Sequence, residues 1–210
     1  RVTAALSAPT AEGALFEVDT RLRPSGTQGP PAASLDSFER YQREQAWTWE
    51  HMALARARPV YGSKPARASV RAIIGDVLTM ERNPAKLRTD VLDMRANMAA
   101  HKPGKGRLDV KLARGGLVDL EFLVHYLQLR EYVGLDPDLG RAVRALAAAG
   151  LVPPSLIEAE ADLTRFLVAA RMLAPDSQPP PLAAREALAR ACACGDWETL
   201  MADLDRARSV

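Results

Sequence analysis

The stretch from Gly115 to Val133 constrains the fold more than any other part of the chain. At about 100° per residue, Leu117, Leu120, Leu123, Val124 and Leu127 fall on one side of a helix. Val118, Phe122 and Tyr126 fall on another. Only Asp119, Glu121 and His125 interrupt the apolar circumference of its first turns. A helix about 28 Å long that is apolar all round belongs inside a bundle, not on its surface. Its polar residues are then buried, and an unpaired buried charge costs several kcal/mol. Glu121 and His125 stand four apart and can face each other. Asp119 needs a partner from another element, and the Arg-rich stretches offer several. Asp119 and Glu121 resemble a metal-binding pair, yet they lie about 200° apart on a helix. All three polar residues read as structural ion-pair candidates.

A central helix requires others around it, and the pattern supplies them. Ser34 is a good N-cap, and Leu35, Phe38 and Tyr41 set an apolar stripe at helical spacing. Helical stretches follow at 45–58, closed by Pro59, and at 65–81 and 84–101. After the central helix come 138–149, 154–174, 182–194 and 196–208. A flexible connector, Lys102–Gly106, leads into a short extended piece at Leu108–Lys111. Trp47 and Trp49 are about 200° apart on a helix and cannot share one pocket. One is expected in the core and the other against the N-terminal segment.

Ahead of Ser34 the period changes. Residues 2–8 form a short helix end stopped by Pro9. Leu15, Phe16 and Val18 alternate with Glu17, Asp19 and Arg21, which predicts one strand over 14–22. A loop rich in Gly, Pro, Ser and Thr then runs to about Ala33 and marks a boundary. The expected fold is mainly α: a multi-helix bundle at 34–210, preceded by a small β piece at 1–33.

Composition removes some functions. Lys and Arg number 28 against 26 Asp and Glu, a formal balance of +2, which points to neither nucleic acid nor an anionic membrane. No run of 18 apolar residues is present, so no membrane span is expected. Cys192 and Cys194 lack a second ligand cluster and read as small thiols in an Ala-rich helix. They fit a reducing compartment. With no charged-then-apolar leader in view, the expected location is the cytoplasm.

Three stretches carry a family resemblance. Phe16-Glu-Val-Asp-Thr-Arg-Leu-Arg-Pro-Ser-Gly26 is similar to a strand and loop of the adenylyltransferases that modify glutamine synthetase. Tyr41-Gln42, Ala46-Trp-Thr-Trp-Glu-His51 and Ala53-Leu54-Ala55-Arg-Ala-Arg58 resemble the segment that follows it in that family. Lys111, Gly115-Gly-Leu-Val-Asp-Leu-Glu-Phe122 and Tyr126-Leu127 match the family's Lys…Gly-Gly-(Ile/Leu)-x-Asp-(Ile/Leu)-Glu-Phe signature. The likeness is dense over 14–130 and fades afterwards. The Trp-Thr-Trp-Glu-His block and Val118-Asp119 resemble the C-terminal half of these two-part enzymes.

The resemblance implies a polymerase-β-like nucleotidyltransferase site that transfers AMP from ATP to a tyrosine of glutamine synthetase. Such a site uses Mg²⁺ held by three carboxylates. Two come from a Gly-Ser…Asp-x-Asp motif, which this sequence does not contain, and the third aligns with Asp19. Asp19 is thus the candidate catalytic and metal-binding residue, against its plainer reading as an exposed strand aspartate. Arg21 and Arg23, two apart on an extended segment, can contact phosphates or the protein substrate, or stand as surface arginines. The chain then reads as a fragment carrying one edge of the site, with 1–33 the end of the nucleotidyltransferase domain, and as inactive alone. PII signalling proteins enter as a further implied partner. Two rivals stand beside this reading: a helical docking module for glutamine synthetase or PII, and a piece of the related PII uridylyltransferase. The latter class is expected to continue into a His-Asp phosphohydrolase region, and no His-Asp pair occurs here.

Overall fold

Helix signals dominate the chain, and helices dominate the structure. A computed structural model of the chain describes residues 2–14, 18–19, 23–30, 32–174 and 179–210. Ten α-helices occur among them: α1 (Val2–Leu6), α2 (Leu35–Glu44), α3 (Thr48–Leu54), α4 (Lys64–Leu78), α5 (Pro84–His101), α6 (Leu117–Glu131), α7 (Leu139–Ala148), α8 (Ser155–Leu173), α9 (Leu182–Ala191) and α10 (Trp197–Arg208). Side-chain caps fix many of the starts. Ser34, Ser63, Asn83, Asp138 and Asp196 each accept a hydrogen bond from the backbone N–H three residues on, which satisfies one orphan donor of the first turn.

Two apolar clusters make up the core, and α6 stands between them. Met52, Leu54, Ile73, Val77, Leu87 and Val91 form the first, from α3, α4 and α5, and Leu129 of α6 joins them. The second gathers Leu120, Val124 and Leu127 of α6 with Val143, Leu163, Phe166, Leu188 and Leu204. In it α8 packs against α7, α9 and α10. The nearly all-round apolar character of α6 follows from this: one face serves each core. Eight of its residues are buried, more than in any other described helix. The third face is uncovered, and Leu123 is 42% exposed.

The Gly115-Gly116 pair makes the start of α6 possible. Gly115 sits at φ +72°, and a Cβ there would run into the Arg208 carbonyl at the end of α10. A Cβ on Gly116 would run into the Val110 carbonyl. Only glycine tolerates both demands. The preceding segment is not extended, as expected at Leu108–Lys111, but a string of turns. Asp109, 7% exposed, pulls it into a knot by accepting from the Lys105 and Leu112 N–H groups at 3.0 Å each.

The β content is smaller than the alternation predicts. Pro9–Thr10 (β1) and Gly13–Ala14 (β2) pair antiparallel. Of the strand expected over 14–22, residues 15–17 and 20–22 lie outside the described residues, and Val18 and Asp19 are in no strand. The two tryptophans also depart from expectation. Trp47 is 71% exposed and Trp49 39%, so neither is a core residue. Trp47 is the N-cap of α3, a half-in position whose side chain projects outward. The helical stretch expected to begin at 45 starts only at Thr48.

Candidate active-site edge and its anchorage

Asp19 is exposed, in the described pair of residues Val18–Asp19. Arg21 lies outside the described residues. Arg23 begins a compact loop: its Nε donates to the Gly29 carbonyl at 3.2 Å. Gly26 N–H donates back to the Arg23 carbonyl at 2.8 Å, and a 3-10 turn over Gly26–Gln28 follows. Ser25 adopts φ +60° to make the bend. A non-glycine residue there stores strain of about 1–3 kcal/mol, which the surrounding hydrogen bonds hold in place.

This loop lies beside Tyr41 of α2. Burial and the Glu50 carboxylate raise the phenol's pKa, and the nearby Ser25 backbone opposes them. The Tyr41 hydroxyl donates to Glu50 Oε1 at 2.8 Å, and Glu50 Oε2 accepts the Trp47 N–H at 2.9 Å. Glu50 is 7% exposed, so its charge is kept inside by these two donors. One residue further, His51 Nε2 donates to the Gln42 carbonyl at 2.8 Å. Its Nδ1 is then the acceptor for Arg82 at 3.4 Å. The ring is neutral, and burial lowers its pKa, with Arg82 adding to the effect. Arg82 in turn donates to the Val77, Leu78 and Met80 carbonyls and closes the end of α4. Tyr41, Glu50, His51 and Arg82 therefore form one joint among α2, α3 and the end of α4, beside the 23–29 loop. Sequence reading did not single out this joint. Its one local signal was Glu50, three residues after the N-cap position of α3.

The ionisable residues of α6 face different partners. Arg95 of α5 pairs with Asp119, whose other oxygen accepts the Gly115 N–H at 2.6 Å. Arg56 pairs with Glu121 at 3.3 Å. His125 bonds not to Glu121 but, through Nδ1, to Gln128 Oε1 at 2.8 Å. Gln128 donates its amide to the Gly134 carbonyl at 2.5 Å, which fixes its oxygen toward the ring and makes His125 Nδ1 the protonated nitrogen. Burial pushes the His125 pKa down. Asp119 thus points to α5 and Glu121 to the turn after α3, and each has its own arginine.

A Mg²⁺ ion needs several oxygens fixed at octahedral geometry. Among the described residues no group of three His, Cys, Asp or Glu side chains is arranged to hold a metal. These residues do not by themselves fit the ion, and Asp19 offers at most one ligand to it. No described helix is long and apolar enough to cross a membrane. Cys192 and Cys194 are free, with burial raising the Cys192 pKa to about 11, so that thiol is a packing group rather than a nucleophile.

Comparison with known proteins gives this geometry its context. Residues 1–73, which contain Asp19, the 23–29 loop and Tyr41-Glu50-His51, match the family model for glutamate-ammonia ligase adenylyltransferase. A bifunctional glutamine synthetase adenylyltransferase/adenylyl-removing enzyme of Brucella suis is 43% identical over 214 residues, 97% of this chain. The chain belongs to the glutamine synthetase adenylyltransferase family. The identically named protein of Caulobacter vibrioides is 41% identical over 220 residues and the whole of this chain. That of Agrobacterium fabrum reaches 56% over 129 residues, 61% of this chain. The chain spans 13–22% of the length of these relatives. Residues 88–210 match the model for GlnD PII-uridylyltransferase. The adenylyltransferase relatives match across the same residues, so this helical region is a type that the two groups share.

Proposed function

We propose that this chain is part of an enzyme that transfers AMP from ATP to a tyrosine of glutamine synthetase, in the adenylylating half of a bifunctional protein. The match of 97% of the chain to a relative named for that activity carries the reading. Residues 1–33 then form the last edge of the nucleotidyltransferase domain and 34–210 the helical domain behind it. Asp19 is the chain's contribution to a Mg²⁺ site, with Arg21 and Arg23 beside it for phosphate or substrate contact. The remaining carboxylates come from residues outside this sequence. What the described residues supply is positioning. The joint of Tyr41, Glu50, His51 and Arg82 fixes α2, α3 and the end of α4 beside the 23–29 loop, and transfer chemistry of this kind depends mainly on such placement. Asp119, Glu121 and His125 hold helices together rather than bind metal. Glutamine synthetase is the target, PII proteins are regulatory partners, and the location is the cytoplasm.

The competing uridylyltransferase reading makes a different prediction for the same assay. Full-length protein is given labelled ATP or UTP, with glutamine synthetase or a PII protein as acceptor. Label should pass from ATP to glutamine synthetase. Transfer only from UTP to PII would move the chain to the other group.

A further inference from the structure

The uncovered face of α6 borders a groove. Leu123, 42% exposed, and the half-buried Phe122 and Tyr126 form one wall, and Leu92 of α5, 57% exposed, stands opposite. This depression encloses about 320 Å³ and is mainly apolar. It shares Leu92, Arg95 and Asp119 with a second, of about 890 Å³, which runs past Ala96 and Ala99 to Gly104 and Arg114. From Arg88 to Ala99 the floor follows α5 for about 17 Å, the length of three helical turns. Two cores already cover the rest of α6, so the apolar excess on this face has no partner among the described residues.

Charge around the groove is one-sided. Asp119 is the one carboxylate lining either depression, and Arg95 neutralises it. Arg88 and Arg114, both exposed, meet no carboxylate among the described residues. At the far end the exposed Lys102 caps α5, and the knot tied by Asp109 carries the exposed Lys105 and Lys111. An apolar trough with unpaired cations along it suits an amphipathic helix whose polar face is acidic. The chain's own helices fit poorly, because every described helix of ten or more residues carries Lys or Arg.

We infer that the groove between α5 and α6 docks an acidic amphipathic helix of a partner protein. This inference does not rest on the adenylyl-transfer reading. The test uses the full-length protein and two labelled helical peptides with the same Leu face, one carrying Glu and the other Lys elsewhere. Fluorescence anisotropy at low salt should show the Glu peptide binding about tenfold tighter. Leu92→Asp and the double variant Arg88→Glu/Arg114→Glu should each weaken it about tenfold while melting as the parent does. Added salt should erode the preference. Equal affinity for the two peptides, binding to neither, or full binding by both variants overturns the inference. So does a concentration-dependent dimer that Leu92→Asp dissociates, which assigns the groove to a second copy. Protection of a Leu92→Cys thiol in the full-length protein without peptide overturns it too, since the protein's own remainder then fills the groove.

Discussion

His51 and His125 are each buried and neutral, and each serves a fixed hydrogen bond. Burial holds both below the ordinary imidazole pKa of 6.5. Below that pH the unfolded chain takes up protons that the folded chain refuses, so the unfolded state is favoured. Their contribution to stability is complete above about pH 6.5 and is lost as the pH falls from there toward the lowered folded values. The melting temperature should therefore drop between about pH 7.5 and pH 5.5, and His51→Gln with His125→Gln should flatten the profile. A parent protein with a flat profile over that interval would contradict the neutral assignment. Asp119 gives a second test. Asp119→Asn keeps an acceptor for the Gly115 N–H but removes the charge facing Arg95, and should cost about 1–2 kcal/mol in urea unfolding. The Mg²⁺ dependence of AMP transfer should not change. A shifted requirement at parental stability would make Asp119 a metal residue.

At the scale of elements, α6 has three faces with different energetics. Leu120 is 6% exposed inside the second cluster, and Leu120→Ala should cost about 2–5 kcal/mol. Leu123→Ala, a few residues away on the groove face, should cost under about 0.5 kcal/mol. Similar losses for both would mean that the groove face is packed. Most of this architecture was legible beforehand. The expected helices at 84–101, 138–149, 154–174 and 196–208 end within about two residues of the observed ones, because Pro, Gly and side-chain caps punctuate them. Less was legible where two influences compete. All-round apolarity predicts complete burial for α6, but it does not reveal that the two cores leave Leu123 uncovered. One of Trp47 and Trp49 is expected in the core, yet both are exposed, and the N-cap position turns Trp47 outward. The turns at 108–111 come from Asp109 bonding to backbone N–H groups on both sides, a closure that no periodicity records.

For the whole molecule, the site was legible only through resemblance. Asp19 is one exposed aspartate, and neither its spacing nor its structure singles it out without the surrounding Phe16–Gly26 motif. The joining of Tyr41, Glu50, His51 and Arg82 was missed because its contacts link residues up to 31 apart in number, and a single sequence does not display such pairings. On the proposed reading, the 210-residue chain alone should not incorporate AMP into glutamine synthetase, since no described carboxylate cluster can hold the metal. Incorporation by it would show that the site is complete here. The most direct measurement is made in the full-length protein with Asp19→Asn. AMP incorporation from labelled ATP into glutamine synthetase should fall by at least about a hundredfold, while the adenylyl-removing activity and the melting temperature stay at parental values. Near-parental incorporation by that variant would contradict the placement of Asp19 at the reacting site.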